Sequence, residues 1–208
     1  MIFKDLGELS YEKTWQLQES TRQNIQGGRA DSVVFFVEHP PTMTLGRGED
    51  GSNIESSRQW LKNNGFDVVE TNRGGKVTYH GPGQLVVYPV IDLRLYHLGV
   101  KDYVHCLEDI VIDLLAQYQI QAYKRDDLIG VWVGVEKIAS IGIHVSRHVS
   151  IHGMALNVST NLSHFGYITP CGLQDVQMTS MHALGCRAAM LEIKKKIQEI
   201  FLSRMPTR

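Results

Sequence analysis

Only three cysteines occur in the 208 residues, Cys106, Cys171 and Cys186, an odd number with no close pair. That excludes a disulfide framework and a zinc site of paired thiolates, and it leaves at least one thiol free. A run of about 20 apolar residues, the length a membrane span needs, is absent, and residues 1–17 lack the basic start and apolar stretch of a signal peptide. A cytoplasmic protein with no membrane partner is therefore expected. Neither charge is in excess: 21 Lys and Arg stand against 22 Asp and Glu, a net charge of −1, which argues against a nucleic-acid partner. Linkers, repeats and low-complexity stretches are also missing. With 43% apolar residues, a chain of this length can bury roughly 70% of its unfolded surface. One compact unit over residues 1–208 is the expectation.

The pattern along the chain gives elements of both kinds. Tyr11, Trp15 and Ile25 lie in a partly buried helix between Ser10, a candidate N-cap, and the stop at Gly27-Gly28. Residues 33–38, 67–71, 76–79 and 85–91 are short, β-branched or aromatic, and bounded by Gly or Pro, which predicts strands. Val104, Leu107, Ile110, Val111, Leu114 and Tyr118 recur at helical spacing over 103–118. Residues 131–133, 137–145 and 149–158 predict a β-rich block with a turn at 146–148, and a last helix spans 190–201. This order lacks the regular alternation of a doubly wound sheet and favours a layered α+β domain with mixed sheets packed on helices.

Three stretches invite a chemical reading. Residues 73–84 hold four glycines and a proline around a short β-like run, which suits backbone approached closely by a ligand but also suits plain tight turns. The stretch is no P-loop, because Gly74-Gly75-Lys76-Val77 lacks the hydroxyl residue after lysine. His80 within it could donate to a carbonyl or simply bond to nearby backbone. In Thr169-Pro170-Cys171-Gly172-Leu173 a thiol stands between a residue of fixed φ and one of free φ, a rigid presentation that fits a nucleophile or a half-buried structural thiol. If residues 137–145 form a strand, Lys137 shares its face with Ala139, Ile141, Ile143 and Val145. Apolar surroundings disfavour an ammonium and suit a group that exchanges protons, although a strand-end lysine can also lay its stem on apolar surface and reach water. His144, His148 and His152 recur every four residues but straddle the turn at 146–148, so no metal is expected there. Lys194-Lys195-Lys196 reads as the solvated face of the last helix.

Taken together, RGGKVTYHGPGQLVVYP from Arg73, KIASIGIHVSRHVSIHGMALNV from Lys137 and ITPCGL from Ile168 strongly resemble the lipoyl(octanoyl) transferase family, in order and in spacing. The resemblance implies a fold similar to the catalytic domain of biotin and lipoate protein ligases. It implies transfer of octanoyl from acyl carrier protein to lipoyl domains of 2-oxoacid dehydrogenase E2 subunits and the glycine cleavage H protein. Residue by residue, it implies that Cys171 carries the acyl thioester and that Lys137 activates it. It also implies that substrate is contacted by Arg73, Gly74, Gly75, Lys76, Val77, Thr78, Tyr79, His80, Ser140, Ile141, Gly142, Gly153, Met154 and Ala155. No metal or other cofactor is expected, since a thioester is already activated and needs no ATP. Three other readings stay open: an ATP-dependent lipoate ligase, a thiol hydrolase pairing Cys171 with His80 or His152, and an acyl-chain binding module without catalysis.

Overall fold

The computed structural model describes residues 1–48, 56–169 and 176–205. Seven strands form a mixed sheet in the order β1 (Ile2–Glu8), β2 (Val33–Glu38), β6 (Gln84–Val90), β10 (Val149–Asn157), β9 (Glu136–Ser146), β8 (Val131–Val133) and β7 (Tyr123–Lys124). β1 and β2 run parallel, joined through helix α1 (Tyr11–Gln26), and the remaining neighbours are antiparallel. A second sheet of three strands places β3 (Thr42–Leu45) between β4 (Asp67–Glu70) and β5 (Val77–His80), with the short helix α2 (Arg58–Asn63) leading into β4.

The central strands are apolar on both faces because both faces are covered. In β2, Val34 and Phe36 join the cluster beneath α3 (Val100–Ala116) and α4 (Met190–Arg204), while Val33, Phe35 and Val37 pack on the other face with Tyr11 of α1. β6 alternates likewise, Leu85 and Val87 one way and Val86 and Tyr88 the other. α3 buries Tyr103, Leu107, Ile110, Val111 and Leu114, one stripe at helical spacing. It begins at Val100, three residues before the expected start, with Gly99 as N-cap. A third cluster, around Met43, Phe66, Tyr79 and Phe165, fills the space under the small sheet.

The predicted turn joins β9 to β10 as a two-residue hairpin loop. Arg147 and His148 both take positive φ, 47° and 69°, the conformation whose twist matches antiparallel strands. Strands β1, β3 and β7 and helix α2 were not foreseen. Lys194 is not solvated: it is 9% exposed, and its amine pairs with Asp5 of β1 at 2.9 Å. Among the described residues no helix is long and apolar enough to cross a membrane.

Candidate active site

A cavity of ≈ 350 Å³ opens where the two sheets meet α1 and α3. Its lining is largely apolar with a few polar groups, the usual composition of a small-ligand site. Lys137 lines it from β9 and is 3% exposed. The Nζ donates to the Ile129 carbonyl at 2.8 Å and lies 5.6 Å from the centre of the Trp132 ring.

The backbone of Lys137 also carries the chain beyond the expected nucleophile. Lys137 N–H donates to Gln177 O at 2.9 Å, and Thr179 N–H donates back to Lys137 O at 3.0 Å. Val176 lines the cavity, and Ile168 is buried in the third cluster. Cys171, with Pro170, Gly172 and Leu173, lies outside the described residues.

The glycine-rich stretch forms one wall. Gly74 N–H donates to Ile143 O at 2.9 Å, so the stretch lies directly on β9. That approach requires bare backbone: a Cβ on Gly142 would sit 3.1 Å from Gly74 O, and one on the opposite Gly153 would sit 2.2 Å from Val87 O. Arg73 is 7% exposed, and its guanidinium bonds Thr44 Oγ1 (2.8 and 3.1 Å) and Gly74 O (3.0 Å). It sets a positive potential behind the wall.

A cluster of neutral rings forms another wall. Burial, with help from the charges of His39 and Arg73, holds His80 well below the usual imidazole range. Burial pushes His39 down to about 4 and His152 down to about 3, the latter aided by Arg73. Tyr11 is pushed up to about 12 by the same cause. The bonds agree with neutral rings. His39 Nδ1 donates to Leu9 O (2.6 Å) and its Nε2 accepts from Tyr88 O–H (2.9 Å). His152 Nε2 donates to Asn72 Oδ1 (2.7 Å) and its Nδ1 accepts from Tyr11 O–H (3.2 Å). His80 Nδ1 donates to Gln84 Oε1 (2.8 Å), because the Gln84 amide donates to Tyr79 O and Asn157 Oδ1. The remaining His80 Nε2 is then an acceptor, so the donor role suggested for His80 does not fit this tautomer.

His152 reaches this cluster by an unusual backbone. Its ladder partner Ile143 packs toward α3 and α4, yet the His152 ring meets Tyr11 and Trp15 of α1. A φ of +59° turns it, and the freed N–H is taken by Gln18 Oε1 at 2.7 Å. The three histidines at four-residue spacing are thereby separated: His148 is in the hairpin turn, His144 is half-buried on β9, and His152 is in the cavity wall.

Of the residues named from the sequence, Lys137, Arg73, Gly74, Gly75, Lys76, Val77, Thr78, His80, Ser140, Ile141, Gly142, Gly153, Met154 and Ala155 all line the cavity. Tyr79 does not. Strand alternation turns it into the third cluster, where its hydroxyl bonds His164 Nδ1 at 2.8 Å. Tyr11, Tyr88, Val104, Trp132, Val176 and residues 127–129 line the cavity without having been singled out. Nothing in their local sequence marks them.

The family described as the lipoyl protein ligase A/B catalytic domain matches residues 10–202. An octanoyltransferase of Solibacter usitatus is 46% identical over 198 residues, covering 95% of this chain and 90% of that protein. Among solved structures, a lipoate-protein ligase A bound with ATP superposes with a TM-score of 0.79 at 15% identity, covering 98% of this chain and 85% of that one. Biotin protein ligase from Aquifex aeolicus, in complex with biotin and ATP, gives 0.60 at 12% identity, covering 98% and 70%. At these identities the two structures speak for the fold alone.

Proposed function

This chain belongs to the lipoyl protein ligase A/B catalytic domain family, and from that premise we propose that it is an octanoyltransferase acting through a thioester on Cys171. The donor is octanoyl-acyl carrier protein, and the acceptor is the lysine of a lipoyl domain in a 2-oxoacid dehydrogenase E2 subunit or the glycine cleavage H protein. Residues 1–208 act as one catalytic unit in the cytoplasm. The observation that carries the reading is Lys137: a buried amine on an apolar cavity, whose own main chain is bonded to the segment six to eight residues beyond Cys171.

In the first half-reaction Lys137, as the amine, takes the Cys171 thiol proton, and the thiolate adds to the thioester carbonyl. Collapse breaks the bond to the carrier's sulfur, which leaves as a thiol with the proton returned from Lys137. In the second half the acceptor amine attacks the acyl-cysteine and forms the amide. Cys171 leaves as thiolate, and Lys137 takes the proton shed by the acceptor nitrogen and passes it to that thiolate. The apolar lining holds the eight-carbon chain, each methylene contributing about 0.8 kcal/mol before binding costs.

An ATP-dependent ligase would have no use for Cys171, and a hydrolase pairing Cys171 with His152 finds both ring nitrogens already engaged with Asn72 and Tyr11, whereas pairing with His80, whose Nε2 is an acceptor, would show as release of free acid in the test. The test is intact-mass measurement after incubation with an octanoyl thioester, without acceptor or ATP. One octanoyl group on Cys171, labile to hydroxylamine, is expected; it should vanish in Cys171→Ala and persist in Cys106→Ala and Cys186→Ala. Adding a lipoyl domain should move it to a hydroxylamine-resistant amide. Labelling that appears only with ATP, or on another residue, would end the reading.

A further inference from the structure

The carbonyl that accepts from the Lys137 amine is not part of the sheet. Ile129, whose carbonyl accepts from Nζ, belongs to residues 125–130, which form no strand or helix. A carbonyl on such backbone holds its aim only if something outside the stretch holds the backbone. Glu108 of α3 does this. It is 2% exposed, and its Oε1 accepts the N–H of Gly130, the residue after Ile129, at 2.8 Å. His105, one turn earlier on α3, bonds Oε2 at 2.9 Å and fixes the roll of the carboxylate.

Gly130 in turn lies against the lysine itself. Its φ of +134° is open to glycine, and a Cβ there would fall 2.3 Å from Lys137 Cε and 2.9 Å from Nζ. The carboxylate therefore grips the same peptide on which the lysine stem rests and to which the amine is bonded. A buried carboxylate is costly to keep, and packing alone would be served by an apolar residue at this point of an otherwise apolar helix face.

We propose that Glu108 is a positioning residue for the reaction: by holding the Gly130 N–H it sets the Ile129 carbonyl, and through it the Lys137 amine, at the geometry proton transfer requires. This rests on the reading of Lys137 as the proton carrier, and the experiment separates the two. Full-length Glu108→Leu, Glu108→Gln, Lys137→Ala and the double variant Glu108→Leu/Lys137→Ala are assayed for octanoyl transfer from a thioester to a lipoyl domain.

Glu108→Leu should lower kcat on the order of 100-fold, the scale of a misplacement by about 1 Å, with KM for the donor within about twofold. Glu108→Gln should recover most of that loss, since an amide oxygen still accepts from Gly130. Hydrogen exchange over residues 125–131 should speed up in Glu108→Leu and slow again in Glu108→Gln. In the Lys137→Ala background, Glu108→Leu should add less than about twofold, because there is no amine left to misplace. Equal losses in the two Glu108 variants, a loss carried by KM, or full multiplication in the double variant would make Glu108 structural only. Should Glu108→Leu not fold, His105→Ala decides, a kcat about threefold lower supporting the proposal and an unchanged one overturning it. Wild-type transfer by Lys137→Ala would take down the lysine reading and this inference together, whereas an inactive Lys137→Ala beside a fully active Glu108→Leu sinks this inference alone.

Discussion

The wall around Lys137 and the wall made by Tyr11, His80, Tyr88 and His152, with His39 behind it, are both buried and both polar, yet they are held in opposite ways. The amine donates to a carbonyl in a stretch without regular structure, gripped from α3 by Glu108. The rings stand on α1 and on strands of both sheets, stacked on one another, Tyr11 lying 5.7 Å from His80 and 6.3 Å from His152. Each imidazole N–H has a protein acceptor. On the proposed reading, the difference is between a group placed to exchange a proton and rings locked so that they stay neutral. Substitutions at the first wall should change rate with little change in stability; at the second, stability should move first.

The sharpest break is Lys137→Arg, which keeps a cation and a donor but removes a usable base. Octanoyl transfer should fall by about 10³-fold, within the span of general-base effects, while the thermal midpoint moves by only a few degrees. Turnover near that of the unaltered protein would dissolve the contrast.

The ring wall is tested by pH. His39 titrates at about 4 and His152 at about 3 in the folded protein, both below the ordinary 6.5. Between those values and 6.5 the unfolded chain binds more protons, so their contribution is complete above pH 6.5 and is lost as pH falls toward 4 and then 3. Each group can add a slope of up to about 1.4 kcal/mol per pH unit in that window. Denaturant midpoints at pH 7, 5.5 and 4.5 should decline accordingly, and less so in His152→Gln. A profile flat to pH 4.5 would mean that the imidazoles are wet rather than buried.

The smallest effect is expected for Tyr11→Phe, which keeps the stacked ring and deletes the bond to His152 Nδ1. A loss of about 1 kcal/mol in stability is expected, with transfer changed less than about threefold. A large fall in transfer at unchanged stability would move Tyr11 from the scaffold to the chemistry.

Much of this architecture was legible before any coordinates. β2, β6, β9, β10, α3 and α4 declare themselves by period or by unbroken apolar runs, and the hairpin turn fell where two antiparallel stretches had to be joined. β1 was illegible because it is exposed along most of its length, with no alternation to read, and its parallel pairing with β2 reaches across the whole of α1. β3 has four residues and no pattern of its own. Within the site, the motifs that begin at Arg73 and Lys137 pointed to residues 73–80, Lys137, residues 140–142 and 153–155, and all of these but Tyr79 line one cavity; Cys171 of the third motif lies outside the described residues.

What the sequence determined by itself was local: which stretches are helix or strand, and where backbone can be bare. These follow from side-chain periodicity and backbone sterics, which act over a few residues. Tertiary structure alone decided that Tyr11 and Val176 line one cavity, that His152 turns out of the alternation of its strand, and that a carboxylate on α3 holds the peptide whose carbonyl accepts from Lys137. Those placements depend on contacts between distant segments, and their geometry is set by how the two sheets and the helices close on one another, which no short window of sequence contains.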